Sequence, residues 1–347
     1  MAEANRAYYA SKDPLGTAGD FITAPEISQM FGEIIGIWIT DLLMRRGLAP
    51  RAISDGPSDI TGNQEPAKSP AFRYVELGPG RGTLAKDARR TMAQFGWQPP
   101  CHFVETSPVL RAAQQEHHPD AIWHDDVDSL PDDAPLIIIA NEFFDALPVE
   151  QFVRQSGGWH QNMVVRDRSK FKLVAGERPS DVAPAPAGNA FPNDTILEVS
   201  PVSNRVMDAL SAKLAQQGGA LLIIDYGYRQ PGTGSTLQAV QNHMPVHPFD
   251  APGCCDLTAH VNFHALASCA ENRLLGVHGP VEQGQWLKSL GIEKRAEILA
   301  QQFPQEAQSI HSALHRLTHI DQMGRLFLVM AALSAGWPVP EGFAYGG

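Results

Sequence analysis

The segment Tyr74-Val75-Glu76-Leu77-Gly78-Pro79-Gly80-Arg81-Gly82-Thr83 carries the strongest chemical signal in the chain. An apolar run leads into glycines at alternate positions, and a helical pattern follows from about Thr83 to Phe95. Glycines let a backbone turn sharply and approach a ligand with no Cβ in the way. The helix start beyond them offers unpaired N–H groups and a positive dipole end. Two common phosphate patterns fail at this turn. Counted from Gly78, both the dinucleotide fingerprint G-x-G-x-x-G and the P-loop G-x-x-x-x-G-K-[ST] need a glycine where Thr83 stands. Glu76, just before the turn, would repel a pyrophosphate. It favours the amino end of a cationic sulfonium ligand, which points to S-adenosylmethionine.

Further acids follow at strand ends. His102-Phe103-Val104 runs into Glu105, roughly 20 residues beyond the glycines, where a carboxylate in nucleotide folds takes ribose hydroxyls. Asp125-Asp126 follows a third apolar stretch. Asp126 is open to two readings, a partner for the adenine amino group or a solvated loop charge. The unbroken run Leu136–Ala140 leads into Asn141-Glu142-Phe143-Phe144-Asp145. This second polar cluster either meets the reacting atoms or braces a strand–helix turn.

These groups need a frame to bring them together. Strands at Arg73–Leu77, His102–Glu105, Ala121–His124 and Leu136–Ala140 alternate with helices at Thr83 to Phe95 and after Pro108. That rhythm predicts parallel βαβ units and an α/β Rossmann-like sheet. Ligands of such sheets lie beyond the carboxyl ends of the strands. Looser alternation over 151–178 predicts inserted antiparallel strands. A helix over Val202–Gln217, a buried strand at Ala220–Asp225 and a last strand at Arg325–Leu333 complete the core. Residues 1–25 read as loop, followed by a helix carrying Ile27, Met30, Phe31, Ile34, Ile35 and Trp38 at helical spacing. Loops are expected at 50–71, 179–193 and 229–257, and helices across 258–316. The organisation predicted is a cap segment at 1–71, a core at 72–150, inserted strands at 151–195, core again at 196–230, a helical and loop cap at 231–316, and a final strand and tail at 317–347.

Composition narrows the function classes. The chain has 347 residues, a net charge of −11 and 43% hydrophobic residues. An acidic protein lacks the broad basic surface that nucleic acid requires. Cys101, Cys254, Cys255 and Cys269 form neither a disulfide framework nor a zinc spacing, which fits a reducing compartment. His311, His315 and His319 recur at helical spacing but suit a surface helix, so no metal is expected. The apolar runs are strand-sized, far below the ~20 residues that span a bilayer. The N-terminal residues lack an Arg-rich, acid-poor leader, which leads to an expectation of bacterial cytoplasm.

Taken together, several segments resemble the MidA-type S-adenosylmethionine-dependent methyltransferases. They are Gly19 through Glu33, Val75 through Thr83, Ala140 through Val149, Asp225-Tyr226-Gly227 and Asp256 through Val261, in the family order. The glycine turn is shared by many methyltransferases, whereas the Gly19–Glu33 and Asn141–Val149 blocks are specific. The resemblance implies a class I methyltransferase core with a substrate cap. It also implies methylation of an arginine on a respiratory complex I-type subunit during assembly; the family's eukaryotic members act in the mitochondrial matrix.

Under that resemblance, Asn141, Glu142 and Asp145 face the methyl group. A guanidinium is always charged and a poor nucleophile. A carboxylate paired with it bidentately orients one nitrogen. Glu142 is the first candidate and Asp145 the second, with Asn141 offering a hydrogen bond to the substrate. Cofactor contacts are expected from Glu76, Gly78, Gly80, Gly82, Thr83, Glu105 and Asp126. Asp20 and Glu26 are added from the specific N-terminal block, closing over the cofactor. Glu26 has a plainer reading too, completing a capping box with Thr23. Asp225-Tyr226-Gly227 either lines the substrate channel or is turn chemistry, and Asp256-Leu257-Thr258 reads as a helix start capped by Thr258. Competing functions are an assembly scaffold that keeps the cofactor fold without turnover, and a small-molecule or nucleobase methyltransferase.

Overall fold

A computed structural model describes residues 1–11, 16, 20, 23–50, 71–168, 170–181 and 191–343. Most of the connection read at 50–71 and the middle of the loop read at 179–193 lie outside the described residues. Three helices precede the sheet: α1 (Ala2–Ser11), α2 (Ala24–Ile27) and α3 (Gln29–Arg45). The first half of the sheet is β1 (Arg73–Leu77), α4 (Thr83–Gln94), β2 (Cys101–Val104), α5 (Pro108–His117), β3 (Ile122–His124) and β4 (Leu136–Asn141). An antiparallel four-stranded sheet follows, made by β5 (Glu150–Gln155), β6 (Gly158–Asp167), β7 (Lys170–Ala175) and β8 (Ile196–Val199). The chain returns to the core through α6 (Pro201–Gln217) and β9 (Gly219–Tyr228). A small sheet of β10 (Gln238–Gln241), β11 (Met244–Val246) and β12 (Asp256–Thr258) comes next. The remainder is β13 (Val261–Asn262), α7 (Phe263–Asn272), β14 (Gly276–Glu282), α8 (Gln283–Ser289), α9 (Ile292–Gln302), α10 (Ala307–Thr318), α11 (Met323–Leu326) and β15 (Phe327–Leu333).

The main sheet has the order β14-β15-β9-β4-β1-β2-β3, and β13 adds a short parallel pairing to β9. β9, β4, β1, β2 and β3 run parallel, and β15 runs against both its neighbours. Strand order reverses at β1, with β2 on one side and β4 on the other. That reversal opens a crevice at the carboxyl ends of β1 and β4, where open α/β sheets bind ligands. Successive residues of each strand face opposite sides, so the apolar runs fill two cores. Tyr74, Ile137, Ile139 and Leu222 pack toward Trp38, Leu84 and Trp286. Val75, Ile138, Leu221 and Met330 pack toward Met207, Leu210 and Phe263.

The cap is locked on by close helix packing. A Cβ at Gly32 would lie 2.7 Å from the Asp87 Cβ, and one at Gly36 would lie 2.7 Å from the Ala88 carbonyl oxygen. Glycine at both positions lets α3 press directly on α4, the helix of the glycine turn. Buried Glu33 then accepts from Arg90 at 2.8 Å and from Arg295 at 2.7 and 2.9 Å, joining α3, α4 and α9.

Three local readings are corrected. Residues 2–11 form α1 rather than loop: Ala2, Ala4, Ala7 and Ala10 supply helix propensity, and buried Asn5 and Tyr8 anchor it. Asp256–Thr258 is strand β12, paired antiparallel to β10, so Thr258 caps no helix; Asn262 caps α7, accepting from the Ala265 N–H at 3.0 Å. The stretch read as helical cap contains β14, an edge strand of the main sheet. Gly276, Gly279 and Pro280 disguise it, and such residues are tolerated at sheet edges and bulges; its register does shift between His278 and Val281.

Candidate active site

A cavity of about 820 Å³ opens over the carboxyl ends of β1 and β4. That is within the usual size for a cofactor site, ~300–1,000 Å³. Its floor is the glycine turn. Gly78 and Gly80 have φ of +58° and +57°, backbone conformations that side chains resist. A Cβ on Gly78 would also stand 3.2 Å from the Phe143 ring. Thr83 opens α4 and donates its hydroxyl to Glu26 at 2.5 Å, while Arg81 lies 3.7 Å from the other Glu26 oxygen. Glu26 therefore braces the turn instead of closing a capping box. Thr23 makes no side-chain cap, and Ser28 caps α3 by accepting from the Met30 N–H at 3.2 Å.

Two buried acids flank the turn. Glu76 accepts the Tyr74 hydroxyl at 2.8 Å, and burial pushes its carboxyl up to about 8. Glu105 follows β2 directly. Its Oε1 accepts from the Ser107 N–H at 2.7 Å and its Oε2 from the Gln114 amide at 3.4 Å. Burial raises its pKa, while those hydrogen bonds pull the other way. The Thr106 N–H also favours the charged form, and since a carboxylate has about four acceptor sites, Glu105 still retains acceptor capacity. Gln114 also donates to the Gly80 carbonyl at 2.7 Å, tying the Glu105 side of the cavity to the turn.

The end of β4 supplies the second cluster. Glu142 has φ of +50°, rare for a residue with a side chain, and its N–H donates to the Ile224 carbonyl at 2.9 Å. Such backbone strain costs of order 1–3 kcal/mol and gathers at functional sites. Its Oε1 accepts from the Ala24 N–H and the Asn141 amide, each at 3.3 Å. The buried Asn141 Oδ1 has no hydrogen-bond partner among the described residues. Burial, followed by the Asp145 charge, pushes Glu142 up to about 8; burial pushes Asp145 up to about 6. Beneath them Asp225 accepts from the Phe144, Asp145 and Tyr226 N–H groups at 3.1, 3.3 and 2.9 Å. Burial and then the Asp145 charge raise its pKa. Asp256 reaches the same cavity from β12 and accepts the Tyr9 hydroxyl at 2.8 Å.

Residues 59–281 match the sequence family described as "Putative S-adenosyl-L-methionine-dependent methyltransferase". The chain is 33% identical to the Drosophila melanogaster protein arginine methyltransferase NDUFAF7 homolog, mitochondrial, covering 93% of this chain and 77% of that one. It is 31% identical to the Homo sapiens protein arginine methyltransferase NDUFAF7, mitochondrial, over 94% of this chain and 76% of the relative. The chain belongs to this methyltransferase family. A Burkholderia thailandensis structure bound to S-adenosylhomocysteine superposes with a TM-score of 0.81 at 25% identity, covering 99% of this chain and 90% of that chain.

The methyltransferase uses S-adenosylmethionine, whose sulfonium supplies the methyl group, and its cavity fits that cofactor. The glycine turn leaves the backbone open to a ligand, Glu105 can accept further donors, and Asn141 presents a buried acceptor. An unmet buried acceptor costs about 1–3 kcal/mol, which a ligand N–H would recover.

Of the residues predicted from sequence, Glu76, Gly78, Gly80, Thr83, Glu105, Glu26, Asn141, Glu142 and Asp145 all line this cavity. Three do not. Gly82 is the left-handed N-cap of α4, where a Cβ would lie 2.9 Å from the His118 ring, so its glycine answers to packing. Asp20 is buried against the Tyr8 hydroxyl and accepts from the Asn242 N–H at 2.7 Å, a brace behind the cavity wall. Asp126 is exposed and accepts from the Ser129 N–H at 2.9 Å, so it closes a loop and does not reach the cavity. The methyltransferase adds cavity residues that pattern reading passed over: Asn5, Arg6 and Tyr9 from α1, and Ser107 after β2. The alanine-rich start was the available signal for the first group. His315, in the last turn of α10, stacks ring on ring at 4.2 Å with His319, the extended residue just beyond the helix.

Proposed function

We propose that this methyltransferase modifies an arginine nitrogen of a protein, and that the protein is a respiratory complex I-type subunit methylated during assembly. One observation carries the acceptor chemistry: Glu142, Asp145 and Asp256 line the cavity that also holds the glycine turn. Clustered acids in a secluded site select a cation. A planar guanidinium with several N–H donors matches them better than a single point charge does. In this reading Glu105 takes the ribose hydroxyls, while the turn from Gly78 to Thr83 and Glu76 hold the methionyl end. Glu142 pairs with the guanidinium, aims one nitrogen along the line of displacement and receives the proton that nitrogen sheds. Asp145, held by Tyr226, keeps the pocket negative, and Asn141 accepts an N–H.

The relatives' names supply the arginine and the mitochondrial setting for those proteins. We place the action of this chain in a reducing compartment, the bacterial cytoplasm, in keeping with its four unpaired cysteines. No described helix is long and apolar enough to cross a membrane.

The test is incubation with tritiated S-adenosylmethionine and lysate from cells lacking the gene. The expected result is label in one protein band, on arginine by mass spectrometry, lost in Glu142→Ala while cofactor affinity is kept. Cofactor binding without transfer would instead favour a scaffold. Label in nucleic acid or a filterable small molecule would favour the other methyltransferase classes.

A further inference from the structure

Helix α1 touches both halves of the active site. Asn5 fixes it over the substrate side: its amide donates to the Ala146 and Leu257 carbonyls at 2.9 and 2.8 Å, and its Oδ1 accepts from the Leu257 N–H at 3.3 Å. Tyr9 lies one turn further along the same face, as i, i+4 spacing dictates. Its carbonyl accepts the Ser107 hydroxyl at 2.6 Å, and the Ser107 N–H in turn donates to Glu105 at 2.7 Å. Its hydroxyl donates to Asp256 Oδ1 at 2.8 Å. A continuous path of hydrogen bonds thus runs from the Glu105 carboxylate through Ser107 and Tyr9 to the Asp256 carboxylate.

We propose that Tyr9 is a positioning residue of the transfer reaction, aiming the Asp256 carboxylate at the cationic acceptor while its backbone is tied to the cofactor side. The inference rests on the arginine reading above. A phenol suits the task because it orients a carboxylate without cancelling its charge, as a lysine or arginine would. Burial and the charges of Asp256 and Asp145 hold Tyr9 well above the ordinary phenol range, so it remains a donor. Asp256 comes from β12, an element separate from the Glu142 turn, and the Tyr9 hydroxyl of α1 grips its Oδ1 from across the cavity.

The test uses the full chain loaded with S-adenosylhomocysteine and titrated calorimetrically with Nα-acetyl-arginine amide. Tyr9→Phe keeps the ring and the backbone carbonyl and removes only the hydroxyl. Tyr9→Phe and Asp256→Asn should each weaken the probe about tenfold, the scale of one hydrogen bond to a charged group. The double variant should bind no more weakly than Asp256→Asn, because Tyr9 acts through Asp256. S-adenosylhomocysteine affinity should stay within about twofold of wild type, since the Ser107 contact to the Tyr9 backbone survives. Wild-type probe binding in Tyr9→Phe, additive losses in the double variant, or an equal loss of cofactor affinity would each overturn the inference. Absence of probe binding and of arginine transfer in the wild type would overturn the arginine reading itself and this inference with it.

Discussion

At the scale of single residues, the site turns on one buried acid, Glu142, that holds a proton in the resting protein. Glu142, pushed up to about 8, is largely protonated at neutral pH. An incoming guanidinium, charged at every accessible pH, favours the ionised carboxylate. Acceptor binding therefore releases a proton from Glu142 below about pH 8. The sign follows: KM for an arginine peptide should fall as pH rises from about 6 to 8, by up to about tenfold per unit for one proton, then level off. Glu142→Gln removes the titrating group along with turnover, so binding of Nα-acetyl-arginine amide, read by calorimetry, should lose its pH dependence between about 6 and 8 in that variant. A pH dependence of probe binding equal to wild type would mean another group controls acceptor binding. Asp126 shows where residue-level reasoning ran short. Its place after the third strand allowed an adenine contact, but a three-residue local bond to Ser129 turned it to solvent.

At the scale of elements, the sequence announces the parallel strands and the helix α3, and hides α1, β12 and β14. Short unbroken apolar runs rich in isoleucine, such as Leu136–Ala140, suit interior strands, and β4 and β9 fall where those runs lie. The Gly78–Thr83 turn and Glu105 were legible because strand, glycines and helix occur in fixed order. α1 was not, because its anchors are tertiary: Asn5 bonds to groups 141 and 252 residues away in sequence. β14 was masked by its own glycines and proline, and β12 by residue types that also start helices. The α3–α4 contact depends on glycine for space rather than for turning. Gly36→Val should force the helices apart, because the Ala88 carbonyl and Thr91 would lie 2.7 and 2.9 Å from a new Cβ. Overpacking of this kind costs about 1–3 kcal/mol, and a lower denaturant midpoint at unchanged m-value would report it. Full wild-type stability would show that the helices can separate freely.

At the scale of the whole molecule, two clusters drawn from distant elements share one cavity. In the proposed reading the cofactor side is built from β1, β2 and the turn into α4, and the acceptor side from the β4 turn, β9 and β12, all of which line the one cavity. α3 and α9, tied through Glu33, hold the cap against the sheet. The division of labour is the central claim, and paired calorimetric titrations with S-adenosylmethionine test it most directly. Glu105→Ala should weaken cofactor binding by about 10–100-fold, the range for hydrogen bonds to a charged group, while Glu142→Gln should bind as the wild type does. Wild-type affinity in Glu105→Ala, or a loss confined to Glu142→Gln, would contradict the account.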